Sequence, residues 1–372
     1  MQPLYLAVGL VLLIAVIVDL FWTTLWVDGG SGPLSGRLTT GVWRGLRFVA
    51  RERSRALSIA GPLILACTLV MWIGLLWLGW AFLFAGGSAA LVNTHTGDPA
   101  TWPGRLYYVA YTMFTSGNGD YAPTSATWEL VSAVTTATGM AFVTLAVSYV
   151  LSVLGAVSEK RSFASDVTGL GDRSERLVRT GWTGGSPDGS GRGGSDGTGS
   201  TPGAADGGSD TNAHTHTHTH PNTDNPFAGL DLSLESLATQ LSLLGEQHKS
   251  YPILHYYHSE QSAQASAVAV PILDESLTLF RHGIPDEDQP NPTLVEDARS
   301  SVDGYLETLE TAFIEPAAQA PPAPELDRLR EEGIPTVSDD EFEAALEDHA
   351  ERRRKLLGVV RADAWEWPPV DD

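Results

Sequence analysis

The sequence predicts an all-α membrane protein. It has three transmembrane helices, one short re-entrant helix with its loop, a disordered linker and a C-terminal cytosolic helical domain. Three observations carry this reading. Residues 3–27, 62–84 and 128–154 are apolar runs long enough to cross a ~30 Å hydrocarbon core as helices. Between the second and third runs, a short aromatic stretch leads into the hexapeptide Thr115-Ser116-Gly117-Asn118-Gly119-Asp120. Finally, the charge is split: residues 1–180 carry 12 Lys+Arg against 10 Asp+Glu, and residues 181–372 carry 11 against 35. The formal net charge of −22 therefore belongs to the second half.

The first run lacks a basic leader and a small-residue cleavage site, so it reads as a span and not as a signal peptide. Asp19 interrupts it toward its C-terminal end. An ionisable residue inside a span is a functional-site candidate, with Thr23 or a loop arginine as partner; local pairing or snorkelling is the plainer alternative.

Residues 28–60 form a basic connection with Arg37, Arg44, Arg47, Arg51, Arg53 and Arg55 against Glu52, which marks the cytoplasmic side and sets the N-terminus outside. Within it, residues 41–57 suit a basic interfacial helix that either senses lipid or only fixes topology. The second span holds Trp72, Trp77 and Trp80 and runs outward. Residues 86–104 make a short outer turret poor in basic residues.

Residues 106–114 (LYYVAYTMF) allow about two and a half helical turns before the hexapeptide. A short helix followed by a glycine-punctuated extended strand at membrane depth is a re-entrant pore loop. Irregular backbone survives there only under protein cover or around a water-filled cavity. Gly117 and Gly119 let the backbone turn in ways that residues with a Cβ resist. The third span carries Ser132, Thr135, Thr136, Thr138, Thr144 and Ser148, and ends in Glu159-Lys160-Arg161, which sets the C-terminus inside.

The hexapeptide T-S-G-N-G-D resembles the potassium-channel filter T-V-G-Y-G-D. Leu106-Tyr107-Tyr108, Thr112, Pro123 and Gly139 stand where that superfamily has its pore-helix, post-filter and inner-helix landmarks. The resemblance covers residues 61–161 of a two-transmembrane-plus-pore layout with an extra N-terminal span. It implies a homotetramer in a lipid bilayer, with K+ or Na+ as permeant ion and no other cofactor. It implies a filter of Thr115, Ser116, Gly117, Asn118, Gly119 and Asp120, and a gating hinge at Gly139. Ser116 and Asn118 replace an apolar and an aromatic packing residue, so a non-selective cation channel is the alternative outcome. A non-conducting receptor built on the same scaffold is the rival from another class.

Residues 162–226 read as a Gly/Ser/His-rich disordered linker, too polar to bury a core. His214, His216, His218 and His220 alternate with threonines there, the weak metal-ligand candidates of the chain. Residues 227–372 read as a regulatory helical domain, with helices over 230–244, 267–280, 294–314, 325–332 and 339–360. Its aromatic patch, 251–258 (YPILHYYH), holds His255 and His258, which suit either helix packing or an unidentified cytosolic ligand. The carboxylate excess fits a salt-accumulating halophile, because multimolar salt shortens the Debye length to a few ångström, with an ordinary acidic tail as the plainer alternative. Cys67, the single cysteine, excludes disulfides. No dinucleotide, phosphate-loop, zinc or nucleophile-elbow motif occurs, so neither enzymatic activity nor a nucleic-acid partner is expected.

Overall fold

A computed structural model describes residues 2–26, 30–50, 57–117, 119–184, 225–310 and 315–367. The histidine tract and Asn118 lie outside the described residues. Three of its helices are long and apolar enough to cross a membrane: Pro3–Leu25 (α1), Ala60–Gly86 (α3) and Ala126–Leu170 (α5). Between α1 and α3 lies Pro33–Ala50 (α2), and between α3 and α5 lies the re-entrant helix Trp102–Met113 (α4).

Helices α1 and α3 run antiparallel, and small residues set their spacing. A Cβ on Gly9 would lie 2.7 Å from the Gly79 carbonyl oxygen, and one on Gly79 would meet Leu13 at 2.9 Å. Without side chains at these points the backbones approach closely enough for dispersion to hold them, since lipid offers no hydrophobic drive between spans. Gln2 N–H donates to Gly86 O at 2.8 Å, which pins the start of α1 to the end of α3.

Asp19 is fully buried, and its surroundings decide between its two readings. Its carboxylate accepts from Leu34 N–H at 2.7 Å, from Ser35 N–H at 3.2 Å and from Trp72 Nε1–H at 2.8 Å. Thr23 Oγ1 accepts from Gly32 N–H at 3.0 Å. Gly32 precedes α2 and has no side chain to cap the orphan amides of the first turn, so an acid from the neighbouring span does it. Asp19 is thus paired locally, joining α1, α2 and α3. Helix α2 starts at Pro33, eight residues before the predicted interfacial segment.

The turret contains a short strand, Leu91–Asn93 (β1), paired antiparallel with Tyr121–Pro123 (β2) just beyond the hexapeptide. Thr124 N–H closes the clamp on Ala90 O at 3.1 Å.

The third span does not stop at residue 154. It continues to Leu170, a helix of 45 residues, or roughly 68 Å at 1.5 Å per residue. A break over residues 171–173 leads to Ser174–Gly181 (α6). The segment read as linker from residue 162 is therefore helical as far as 181, because Phe163, Ala164, Val167, Leu177 and Val178 repeat at helical spacing and are all buried. The described chain then leaves at Gly184 and returns at Asn225. Those ends are held together, for Thr183 N–H donates to Pro226 O at 3.0 Å. Between the third span and the C-terminal domain the described chain is helical, first to Leu170 and then over α6.

The domain comprises Asp231–Ser250 (α7), Ser266–Thr278 (α8), Pro292–Glu310 (α9), Leu326–Glu331 (α10), Asp339–Asp348 (α11) and Ala350–Ala362 (α12). The expected helix over 339–360 is two helices, parted at His349. Every residue of α8 is buried, so this helix is the domain's axis and carries no amphipathic stripe. Its two acids are matched. Asp274 Oδ1 receives Arg299 Nη1 at 2.6 Å and Arg352 Nη2 at 2.6 Å, while Glu275 takes the Arg353 fork at 2.7 and 3.2 Å. Burial pushes the Asp274 carboxyl up, but Arg299 and Arg352 outweigh it and hold it below the usual carboxylate range.

Candidate functional site

The residues singled out at 115–120 lie in one loop between α4 and β2. Thr101 starts α4, its Oγ1 accepting from Gly104 N–H at 3.4 Å. The helix ends as Ser116 N–H reaches back to Tyr111 O at 2.8 Å. Beyond it, Thr115, Gly117 and Gly119 have φ of +58°, +51° and +77°. Positive φ at alternate positions is a conformation that a glycine adopts without strain and a threonine does not. Such strain in a β-branched residue persists only where surrounding structure enforces it.

That surrounding structure is visible on both sides of the loop. From the turret, Thr94 Oγ1–H donates to Gly119 O at 2.8 Å and Thr94 N–H to Asp120 O at 3.0 Å. His95 Nε2 lies 3.5 Å from Asp120 Oδ1, and Tyr107 OH lies 3.5 Å from Oδ2. Tyr111 OH donates to Tyr121 O at 3.3 Å. Asp120 thus sits among turret and re-entrant-helix groups, in an open depression of about 470 Å³.

Behind α4 the packing is aromatic, with single polar groups of each ring satisfied by neighbouring helices. Tyr108 is edge-on to Phe84 with centroids 5.4 Å apart, and its hydroxyl lies 2.6 Å from Ser132 Oγ. Trp77 Nε1–H donates to Leu106 O at 2.8 Å, and Trp80 Nε1–H to Thr138 Oγ1 at 3.0 Å. Two of the six α5 hydroxyls are therefore spent on side chains of other helices. Ser132, Thr135, Thr136, Thr138 and Thr144 also bond back onto their own helix.

Gly139 faces the C-terminus of α4. A Cβ there would come within 2.2 Å of Met113 O, while α5 runs unbroken past it. The position is one of close contact between the two helices. Gly155, one face around and further down, would meet nothing within 4 Å.

A residue that sequence reasoning treated only as a topology charge proves central. Lys160 is buried on α5, and its Nζ donates to Leu254 O and to Tyr257 O, both at 3.1 Å. Those carbonyls belong to the turn Pro252–Tyr256 and the residue following it, the aromatic patch 251–258. The patch packs on the spans: a Cβ on Gly61 would strike the Tyr257 ring at 2.5 Å, and Trp43 of α2 is edge-on to Tyr256 at 5.7 Å. His258 is buried, stacked on Trp365 with centroids 5.0 Å apart, and its Nδ1 lies 3.3 Å from Asp363. It belongs to the packing. Further links join α5 to α7, with Gln247 donating to Glu159 and Gln240 Nε2–H donating to Asp166 at 3.0 Å. Among the described residues no group of three or more His, Cys, Asp or Glu is placed to hold a metal ion.

Residues 65–156 match an ion channel family. That span covers most of α3, the turret, α4, the 115–120 loop and the upper part of α5. The chain is also 39% identical over 364 residues to the uncharacterized membrane protein YdjJ of Bacillus subtilis (strain 168), covering 98% of this chain and 95% of that protein. No solved structure matches it. The shared length runs through spans, pore segment and C-terminal domain alike, and the chain therefore belongs to the family of that membrane protein, with an ion-channel-type segment at its core.

Proposed function

We propose that four copies of this chain form a cation channel, with residues 115–119 of each lining one axial filter. The observation that carries the proposal is the alternation of positive φ at Thr115, Gly117 and Gly119 in a loop that follows a re-entrant helix. One loop is a quarter of a ring, and closed four-fold symmetry supplies the rest. The C-terminal end of α4 points its negative dipole end toward the space beyond the loop, which favours cations. The exposed, small-residue face of α5, with Ala137, Ala141, Thr144 and Ser148, suits a water-filled inner cavity.

The permeant ion is K+, with non-selective K+ and Na+ conduction as the second reading, favoured by Ser116 and Asn118 in place of bulkier packing groups. The N-terminus is outside and the C-terminus in the cytoplasm, since Arg37, Arg44 and Arg47 cluster at the end of α1 remote from the turret. The C-terminal domain biases the pore through Lys160 and the continuous helix α5. The source is salt-accumulating.

Flux of thallium or potassium into liposomes containing the purified protein tests the channel, with chemical cross-linking reporting the stoichiometry. Flux that is absent from a cross-linked tetramer turns the reading to a receptor.

A further inference from the structure

A second cavity lies away from the 115–120 loop. It measures about 930 Å³ and lies where α2 faces the end of α7, the turn Pro252–Tyr256 and the end of α9. This is the size of a small-molecule site, and its walls are charged. Arg37 and Arg44 line it from α2, Lys249 from α7, and the imidazoles of His248 and His255 complete the domain side. Among the described residues that line it, Glu307 is the single acid. The domain it borders is strongly acidic, so this cluster is a positive island.

Arg37 and Arg44 are seven residues apart, two turns of helix, which places both on one face about 10 Å apart. Among the described residues neither makes a hydrogen bond or an ion pair, whereas nearly every arginine of the C-terminal domain named above is matched to a carboxylate. Lys249 is held 2.8 Å from Glu246. Two guanidinium forks and an ammonium around one cavity match the several oxygens of a phosphate better than a single carboxylate. Burial keeps His248 and His255 uncharged at neutral pH, and His248 spends its Nδ1 on Leu244 O at 2.9 Å, so the positive charge of the cavity comes from Arg37, Arg44 and Lys249. The site also lies at the membrane boundary. Helix α2 follows the span α1 directly, and its Phe48 is 86% exposed on the same helix that carries the arginines.

We infer that this cavity binds an anion bearing a phosphate group, held by Arg37, Arg44 and Lys249 between the interfacial helix and the C-terminal domain. A ligand there bridges α2 to the turn that Lys160 grips, and so touches the domain's attachment to α5. Two sources supply the same chemistry, a phospholipid headgroup or a soluble phosphorylated compound. Binding is measured without recourse to current, so the inference stands or falls separately from conduction.

The test uses the full chain in nanodiscs. One arm compares phosphatidylcholine discs with discs containing phosphatidylglycerol, reading retained lipid by native mass spectrometry. The other adds ATP to phosphatidylcholine discs and reads equilibrium binding. The expected result is saturable binding of at least one probe, weakened tenfold or more in the double variant Arg37→Ala/Arg44→Ala. The control Arg176→Ala/Arg361→Ala removes two exposed charges elsewhere and should change binding less than twofold. Gly41→Leu is a second variant: Gly41 lines the cavity with open space where its Cβ would stand. It should weaken binding with every charge kept. Binding in the lipid arm alone names a headgroup, and binding in the ATP arm names a soluble phosphate. No saturable binding in either arm, or equal losses in variant and control, overturns the inference.

Discussion

Lys160 Nζ lies 3.1 Å from the carbonyl oxygen of Leu254, a contact between residues 94 positions apart in the chain. One end of it stands on the helix that continues from the pore segment, and the other on the aromatic turn that packs against α2 and α3. A buried ammonium satisfied by two backbone carbonyls fixes the distance between these parts, since neither the cation nor the carbonyls have water to turn to.

Lys160→Met should therefore loosen the attachment of the C-terminal domain. The Tyr257 carbonyl is left without its lysine donor and Leu254 O keeps only Tyr257 N–H at 3.2 Å, a loss on the order of 1–3 kcal/mol. Thermal unfolding in detergent should show a lower Tm for this variant, while Arg161→Met, at an exposed position, leaves Tm unchanged. Equal melting of the two variants would mean that Lys160 is no clamp.

The Asp19 network makes a second prediction. Asp19→Ala removes the acceptor for the first turn of α2 and for Trp72, and should cost roughly 2–4 kcal/mol. Trp72→Phe removes one hydrogen bond and should cost about 1 kcal/mol. Limited proteolysis near Arg37 and Arg44 should accelerate in the first variant far more than in the second. Identical cleavage rates would place Asp19 outside the capping of α2.

Gly139 and Gly155 should respond oppositely to alanine. Gly139→Ala drives a methyl group onto the Met113 carbonyl, so α4 must move and the assembly should lose stability or its oligomeric state. Gly155→Ala meets open space and should stabilise α5 by about 0.5–1 kcal/mol. Size-exclusion profiles and Tm of both variants decide this. A stable, correctly assembled Gly139→Ala protein would show that α4 yields at Met113 without loss.

Acid should destabilise the domain through His248. Burial lowers its pKa to about 3, and that of His255 to about 4. The unfolded chain takes up these protons first, so the contribution is intact above about pH 6.5 and falls as pH drops toward the folded values. Glu275, pushed up to about 7 by burial against the pull of Arg353, acts in the other sense: its contribution is full below about pH 4.5 and is lost as pH rises through about 7. The variant His248→Phe keeps the ring against Tyr305 and removes one titration. Its stability should vary less steeply than wild type between pH 4 and 6.5, by up to ~1.4 kcal/mol per pH unit. Parallel profiles would show that His248 titrates normally.

Much of this architecture was legible in the residues. Apolar length marked the three spans, and the glycines at 117 and 119 marked the loop whose backbone does turn to positive φ there. The capping role of Asp19 was half legible, because Thr23 was named as a neighbour, but Trp72 lies 53 residues away and only packing brings it there. Phe163, Ala164 and Val167 carried a helical repeat that the surrounding polar residues hid, so the end of α5 was placed too early. Lys160 sat in a Glu-Lys-Arg run that reads as a solvated helix end. Its partners are backbone carbonyls, which have no sequence signature.

Asn118→Tyr restores the aromatic group of the resembling filters and should sharpen preference for K+ over Na+. The most direct measurement is the reversal potential of the purified protein in planar bilayers under opposed K+ and Na+ gradients, for wild type and Asn118→Tyr. Cation currents should reverse near the K+ equilibrium potential, with the variant closer to it than wild type. Anion-driven reversal, or silence from a verified tetramer of wild type, would contradict it.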